Sequence, residues 1–151
     1  MNKLAQEAPQ SFRGRLFRQD TSKPKEQRIL VLRTGLAGAK FHVHSEEERV
    51  RINNLAPGTE LLLYREPDNE HDEWAIAVYL TEEDQIGYVT KFKNEPIARL
   101  MDAGKKFVAF TDDPEERLLK YPEEERDKRR AHWAATENVN LPFSIYLVEE
   151  V

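Results

Sequence analysis

The feature that most constrains the fold is a series of short apolar segments separated by turn residues. The segments are four to eight residues long, and Gly, Pro, Asn and Asp stand between them. Short apolar runs bounded in this way are typical of β-strands, because a buried helix needs a longer run with a period near 3.6. The predicted strands span residues 28–34, 60–65, 74–80, 85–90, 107–110 and 141–148, and residues 40–44 alternate as a further short strand.

Helical patterns are fewer than strand patterns. Residues 94–104 place Ile97, Leu100 and Met101 on one apolar stripe, and Gly104 ends the helix. A short helix is expected over 45–53, where a Ser followed three residues later by a Glu has the spacing of a capping box. The chain from Asp112 to Asn138 is polar and helix-prone, with Pro122 opening a second helix. These elements predict a mainly β protein with one or two helices, folded as a small barrel or a strongly curved sheet that a helix plugs at one end.

Length and composition bound the class of protein. A chain of 151 residues, 39% hydrophobic and 34% charged, predicts one domain with a lean core. The domain is expected to comprise a flexible tail (1–27), a core (28–111), a charged helical segment (112–140) and a closing strand (141–151). The absence of Cys excludes a disulfide scaffold, a Cys-based zinc site and a thiol nucleophile. No apolar run spans a membrane and no secretory signal opens the sequence, so a cytoplasmic location is expected.

Charge is unevenly distributed along the chain. The net charge of −5 argues against a protein that coats nucleic acid non-specifically. Residues 1–40, however, hold nine Lys or Arg against three Asp or Glu, and residues 91–110 hold five against two. Between them, residues 41–90 hold three against twelve. If the two basic segments meet in space, they can form a local site for an anion.

The stretch REPDNEHDEWAIAVY, residues 65–79, combines a polar turn with a buried strand. Pro67 fixes φ for a turn, and the Asp and Asn that follow it favour turns through side-chain bonds to the backbone. The same stretch offers Glu66, Asp68, His71 and Asp72 as a proton-transfer set. No nucleophile elbow or phosphate loop accompanies them. A purely structural role, with Asp72 tying its own turn, therefore remains an alternative to a chemical one.

Two segments have side-chain spacings that resemble those of metal sites. His42 and His44, followed by Glu48, have the spacing of a cupin metal site, but the flanking glycines and a third downstream His are missing. In the turn, Asp68, Glu70 and Asp72 alternate as calcium ligands would, but Glu73 stands where an EF-hand loop needs Gly. We therefore expect no metal and no cofactor, with His42 and His44 as the candidates should a metal bind.

The turn and strand of residues 65–79 resemble the signature of HIRAN domains, an Arg-Glu-Pro-x-Asn-x-x-Asp-x-x-Ala-Ile-x-Val core after a Leu-rich strand. Other segments are similar to family motifs and stand in the family's order: Gly38–His42, Ala56–Leu61, Gln85–Val89 and Ala98–Gly104. The resemblance covers about residues 29–111 and is loose beyond them. No helicase, RING or nuclease segment is present, so the chain resembles the free-standing members of the family that occur in bacteria.

The resemblance implies a modified OB-like β-barrel that binds single-stranded DNA in a pocket for a free 3′ end. Larger relatives use the domain to guide a remodelling ATPase to stalled replication forks. It implies a role in DNA repair or fork processing, with DNA ends and a helicase or other repair protein as partners, and no membrane. The site residues that it implies are Lys40, Phe41, His42, Asp68, Asn69, His71, Asp72, Tyr88 and Lys91.

Within that set, the resemblance implies different tasks. Phe41 and Tyr88 would stack on bases, two lysines would hold phosphates, and Asn69 and Asp72 would reach the sugar and the terminal hydroxyl. Two positions depart from the family: His71 stands where Tyr is frequent, and Glu70 where Pro is frequent. The pocket thus lacks part of the expected aromatic wall.

Two other classes of function remain open at the level of sequence. One is a metal-dependent hydrolase that uses the carboxylates and histidines named above. The other is an adaptor whose acidic surface docks a basic protein. Phe41 also has two interpretations, a stacking platform or a core residue.

Overall fold

The computed structural model describes residues 25–135 and 139–150, and within them the fold is mainly β. Six antiparallel strands form one sheet in the order β1-β6-β5-β2-β3-β4. The strands are β1 (Glu26–Gly35), β2 (Glu60–Arg65), β3 (Ile76–Thr81), β4 (Asp84–Tyr88), β5 (Lys106–Thr111) and β6 (Pro142–Glu150). The α-helices are α1 (Glu46–Asn53), α2 (Glu95–Asp102), α3 (Pro114–Leu118) and α4 (Glu123–Ala135). The mainly β, OB-like class is confirmed, although these ranges contain four α-helices where one or two were expected.

Strand β2 joins the two halves of the sheet. Its first two residues, Glu60 and Leu61, pair with β5, whereas its remaining residues, Leu62 to Arg65, pair with β3. One short strand therefore connects the β1-β6-β5 half of the sheet to the β3-β4 half. Beyond β2, strand β3 lies between β2 and β4, and its residues Ile76 to Val78 are fully buried.

The two ends of the strand order approach each other through one isolated bridge. Just after β1, the backbone of Ala37 pairs with Tyr88 at the end of β4, with N–H···O distances of 2.9 and 2.8 Å in the two directions. The neighbouring Leu36 N–H donates to the carbonyl of Leu141 at 2.9 Å, just before β6. The sheet is not closed by continuous pairing, but this bridge holds its opposite edges together at one end.

Gly87 makes the bridge sterically feasible. A Cβ atom at this position would lie 2.5 Å from the carbonyl oxygen of Ala37 and 2.9 Å from two side-chain carbons of Leu36. Only glycine allows two backbones to approach so closely. A glycine inside a strand often marks such a close backbone approach, and Gly87 is an instance.

The strand predicted at 40–44 is wrong. Ala39–Phe41 form a single 3₁₀ turn, and Gly38 before it has φ of +67°, a left-handed conformation that glycine adopts without strain. Phe41 is exposed and Val43 is buried, so the two side chains do not share a face as residues i and i+2 of a strand would. The strand predicted from residue 74 also begins later, at Ile76.

The core lies between the sheet and helices α1 and α2. Its fully buried members come from five strands or strand ends and two helices, and include Ile52, Leu61, Ile76, Val78, Ile86, Ala98, Phe143 and Ile145. The capping box of α1 is confirmed, because Ser45 Oγ accepts the Glu48 N–H at 3.1 Å. Helix α2 buries Ile97 and Ala98, while Leu100, predicted to share its apolar stripe, is exposed.

The C-terminal part of the chain returns to the middle of the sheet. Strand β6 lies between β1 and β5 and pairs with both. Before it, Arg126 of α4 donates to the carbonyls of Leu118 and Tyr121 at 3.0 and 2.9 Å, which fixes α4 to the end of α3. Of the helices in the described ranges, none is both long and apolar enough to cross a membrane. The predicted tail at 1–27 lies outside the described residues up to residue 24, and β1 begins within its last part.

We predict that Gly87→Ala destabilises the protein by about 1–3 kcal/mol or more, because the added methyl group meets a backbone oxygen that cannot move aside freely. Urea unfolding followed by circular dichroism measures this change. Gly35→Ala is the matched control, since a Cβ there meets no described atom nearer than 4.0 Å. Equal stability of the two variants would show that the approach at Gly87 is not a constraint.

Candidate functional site

A cavity of about 800 Å³ opens beside the bridge between Ala37 and Tyr88. This size falls in the range of ordinary small-ligand pockets, roughly 300–1,000 Å³. Three segments form its wall: the chain after β1, the polar turn between β2 and β3, and the chain after β4. The lining residues are Ala37, Gly38, Phe41, His42, Asn69, His71, Asp72, Ala75, Tyr88, Val89, Thr90, Lys91 and Phe92.

The polar turn is organised around Asn69. Its Oδ1 accepts the backbone N–H groups of His71 and Asp72 at 2.8 and 3.0 Å, and its Nδ2 donates to Glu66 Oε1 at 3.0 Å. The backbone of Glu66 in turn donates to the carbonyl of Ala75 at 3.0 Å, which closes the base of the turn. The amide of Asn69 thus replaces the backbone partners that a turn of this length lacks.

Glu66 also connects the turn to the opposite wall of the cavity. Its Oε1 accepts the Tyr88 hydroxyl at 3.0 Å, so that one carboxylate oxygen binds both Tyr88 and Asn69. Burial is the main cause that raises the pKa of the Tyr88 phenol above its ordinary value. A hydrogen bond with Gln85 lowers this pKa, while the hydrogen bond with Glu66 and the negative charge of Glu66 raise it. The phenol therefore stays protonated and keeps donating, and its ring is held in place as part of the wall.

Asp72 is fixed by contacts on both sides of its carboxylate. Oδ1 accepts the Trp74 N–H at 2.9 Å, and Oδ2 accepts Nδ2 of Asn94 at 2.8 Å. Asn94, only 1% exposed, stands at the start of α2 and uses its side chain for this contact rather than to cap the helix. The structural role of Asp72 considered from the sequence is therefore real, and it extends to the anchoring of α2.

Arg65 supports the turn from outside the cavity. It binds Asp102 of α2 through two nitrogens, at 3.0 and 3.2 Å, and donates to the carbonyl of Ala75 at 3.1 Å. Its guanidinium also lies 5.5 Å from the centre of the Trp74 ring. The guanidinium of Arg99 lies 4.5 Å from the centre of the same ring. The first residue of the motif thus positions the turn and does not reach the cavity.

One rim of the cavity is the 3₁₀ turn after Gly38. It presents Phe41 with 66% of its side chain exposed, so the interpretation of Phe41 as a core residue is wrong. Lys40 places its Nζ 5.2 Å from the centre of the Phe41 ring. The next residue, His42, packs against Tyr88 with ring centroids 5.6 Å apart. An exposed ring beside a cation, at a cavity that His42 and Tyr88 also line, suits stacking of a flat ligand.

The opposite rim follows β4. Val89 is buried, and the residues after it, Lys91 and Phe92, are exposed and line the cavity. Lys91 Nζ lies 5.7 Å from the centre of the Phe92 ring. Lys40 ends one basic segment of the sequence and Lys91 begins the other, and these two lysines stand beside Phe41 and Phe92, which line the same cavity.

Seven of the nine site residues expected from the sequence line the cavity: Phe41, His42, Asn69, His71, Asp72, Tyr88 and Lys91. Lys40 stands beside Phe41 at the rim, and Asp68 is exposed on the turn outside the lining. Six further lining residues were not predicted: Ala37, Gly38, Ala75, Val89, Thr90 and Phe92. The available signal for Phe92 was the tripeptide Lys-Phe-Lys in the loop between a strand and a helix.

The histidines considered as metal ligands do not form a cluster with other donors. His42 faces the Tyr88 ring, and the backbone N–H of His44 donates to Glu48 at 3.4 Å. Across the described ranges, no group of three or more His, Asp or Glu side chains is placed to hold a metal ion.

Comparison with known proteins identifies a single family. The model of the HIRAN domain matches residues 29–133. A crystal structure of a Lactobacillus plantarum protein, a Northeast Structural Genomics Consortium target, superposes with a TM-score of 0.57 at 18% identity over 83% of this chain and 99% of that one. The crystal structure of the HIRAN domain of human HLTF gives 0.51 at 16% identity over 80% and 78%. No curated protein sequence matches the chain.

We predict that Asn69→Ala lowers the free energy of unfolding by about 1–3 kcal/mol, because two backbone N–H groups and one carboxylate oxygen lose their partner. Thermal unfolding measures the loss. Asp68→Ala, one residue earlier and exposed on the same turn, is the control and should change stability little. A stable Asn69→Ala protein would mean that the amide does not organise the turn.

Proposed function

Since the chain belongs to the HIRAN domain family, whose members generally bind DNA, we propose that it is a non-catalytic module that binds single-stranded DNA and holds a free 3′-hydroxyl end in the cavity. The observation that carries the proposal is the composition of the cavity wall. Exposed aromatic rings beside lysines form its rims, and hydroxyl-binding groups form its inner side. Bases, phosphates and a terminal sugar each require one of these groups.

A limited electrostatic contribution is part of the proposal. The chain is acidic overall, Asp72 lines the cavity, and Glu66 binds the lining residues Asn69 and Tyr88. A continuous phosphate backbone would be repelled there, whereas a strand end presents only one sugar hydroxyl to the turn. Lys40 stands beside Phe41 and Lys91 lines the cavity, so the strand would run from the turn outward past these lysines.

Asp72 is the proposed acceptor for the 3′ hydroxyl. A carboxylate has about four acceptor positions. The contacts with Trp74 and Asn94 use one on each oxygen, and the residue lines the cavity. The remaining positions can accept a hydroxyl without breaking the turn, and the existing contacts hold the carboxylate in one orientation before the ligand arrives. A structural role and a recognition role are therefore compatible in one side chain.

Asn69 and His71 complete the proposed end-binding wall. Both lone pairs of Asn69 Oδ1 are used within the turn, but its amide nitrogen has a second N–H beyond the one given to Glu66. That N–H can donate to a sugar or base oxygen. His71 is exposed at the lining and offers a flat ring where the family frequently has Tyr.

The proposed biological setting is DNA repair or the processing of replication forks, with a helicase or another repair protein as partner. A domain that captures a free 3′ end has no chemistry of its own in this proposal. Its effect is to direct a partner enzyme to the end that it holds.

We predict that the protein binds a 3′-hydroxyl strand more tightly than the same strand with a 3′-phosphate, and that Asp72→Asn loses most of this preference. A hydrogen bond to a charged group contributes roughly 1.5–3 kcal/mol, and the same charge repels a phosphate. Fluorescence anisotropy with both strands on both proteins measures the ratio. The ratio is the informative quantity, because the substitution also disturbs the contact with Asn94 and so lowers stability. An unchanged ratio in the variant would remove Asp72 from the site.

We predict that Phe41→Ala weakens single-strand binding by about 1–3 kcal/mol for any base, because one stacking contact is lost. The melting temperature should stay close to that of the parent protein, since the ring is largely exposed. Val43→Ala is the contrasting variant: it removes a buried side chain two residues away and should lower the melting temperature. Unaltered binding by a folded Phe41→Ala protein would contradict the proposed rim.

A further inference from the structure

Phe92 is the most exposed large hydrophobic side chain in the described part of the chain, with 84% of its surface open to solvent. It lines the edge of the cavity but makes no aromatic pair with a described ring, in contrast to His42 and Tyr88. Leaving a Phe ring in water forgoes the free energy that its burial would supply. A smaller polar residue could therefore replace this ring without loss to the folding of the loop.

The loop that carries Phe92 is held in place at both ends. The buried Val89 donates its N–H to Ile76 at 3.0 Å, and the buried Asn94 binds Asp72 at 2.8 Å. Between them, the Lys93 N–H donates to the Thr90 carbonyl at 3.2 Å, which forms a turn with Phe92 near its tip. The position of the ring at the rim follows from these contacts, so its exposure belongs to an ordered loop.

Lysines flank the ring on both sides in the sequence. Lys91 lies 5.7 Å from its centre, Lys93 is exposed, and neither forms an ion pair with another described residue. The same combination of a ring and a lysine occurs at the other rim, where Lys40 stands 5.2 Å from Phe41. A single nucleic-acid strand alternates phosphates and bases, which is the pattern that a ring between two cations matches. A protein partner would instead require a continuous apolar patch, and the immediate neighbours of Phe92 are lysines.

We infer that Phe92 is a second base-stacking platform, on which a nucleotide upstream of the 3′ end rests while Lys91 and Lys93 meet the phosphates on either side of it. The inference rests on the proposed function and extends it. The strand would leave the cavity over this loop, so binding would gain affinity from nucleotides beyond the terminal one. Phe41 and Phe92 would then contribute at different distances from the strand end.

The test is a length series of 3′-hydroxyl thymidylate strands, from a dinucleotide to an octanucleotide, titrated against the parent protein, Phe92→Ala and Phe92→Trp. The alanine variant should bind the longer strands about 5- to 100-fold more weakly, which corresponds to the loss of one stacked base. It should bind the dinucleotide as the parent protein does. The Trp variant keeps a stacking ring and should keep the affinity for longer strands. Leu119→Ala is the matched control, because Leu119 is 66% exposed and lies outside the cavity.

Each contrary outcome has a distinct meaning. Equal affinities of the parent protein and Phe92→Ala at every length would overturn the inference and leave the proposed function standing. A loss that is equal at every length, the dinucleotide included, would assign Phe92 to the terminal nucleotide and also overturn the upstream platform. If the parent protein binds no strand of any length, the proposed function fails first. A loss of self-association in Phe92→Ala, with unchanged DNA binding, would assign the ring to a protein contact instead.

Discussion

The backbone pairing of Ala37 with Tyr88 is the contact on which the candidate site depends. It brings the chain after β1, which carries Phe41, against the chain after β4, which carries Phe92. Neither segment forms a cavity alone, and no other strand pairing in the described ranges joins them. Gly87 is the residue that permits the pairing, since a side chain there would overlap the Ala37 carbonyl. A contact of two hydrogen bonds thus brings the segments that carry Phe41 and Phe92 to one cavity.

The polar turn between β2 and β3 mainly stabilises itself. A continuous set of hydrogen bonds runs from the Tyr88 hydroxyl through Glu66, Asn69 and the backbone of Asp72, whose carboxylate then binds Asn94. Partly buried polar groups need such partners, because an unpaired one costs more than a hydrogen bond gains. The concentration of polar residues beside a buried strand is therefore explained first by the turn. The hydrogen-bond donors and acceptors that remain for the cavity are those that these internal bonds do not use.

Strand positions could be predicted from the sequence because they depend on local patterns. Strand β2 was predicted with its observed bounds, since an apolar run between two proline-containing turns has one interpretation. Residues 40–44 were assigned wrongly because the spacing of Phe41 and Val43 fits a strand, whereas the left-handed Gly38 before them leads into a 3₁₀ turn.

The site was less predictable, because its contacts join residues that are distant in sequence. The family motif brought out seven lining residues, but nothing local indicates that Asn94 leaves its capping position for Asp72. Exposure of a ring also depends on distant residues: Phe41 and Phe92 are exposed, while Phe143 is fully buried. Phe143 lies on β6, between strands β1 and β5 that are distant from it in sequence, so no local pattern encodes its burial.

The placement of β6 also has a consequence for the order of folding. Strand β1 pairs with β6 alone in the described part of the chain, and Leu36, beside the bridge, is held by Leu141. The earliest described strand is therefore positioned by the latest one, a contact of long sequence separation that forms slowly because a large loop must close first. On a ribosome, the β2–β3–β4 meander emerges and can pair while β1 still lacks its neighbour. The segment with Phe41 can reach its place at the cavity only once β6 has been synthesised, so the cavity is completed after the last described strand has paired.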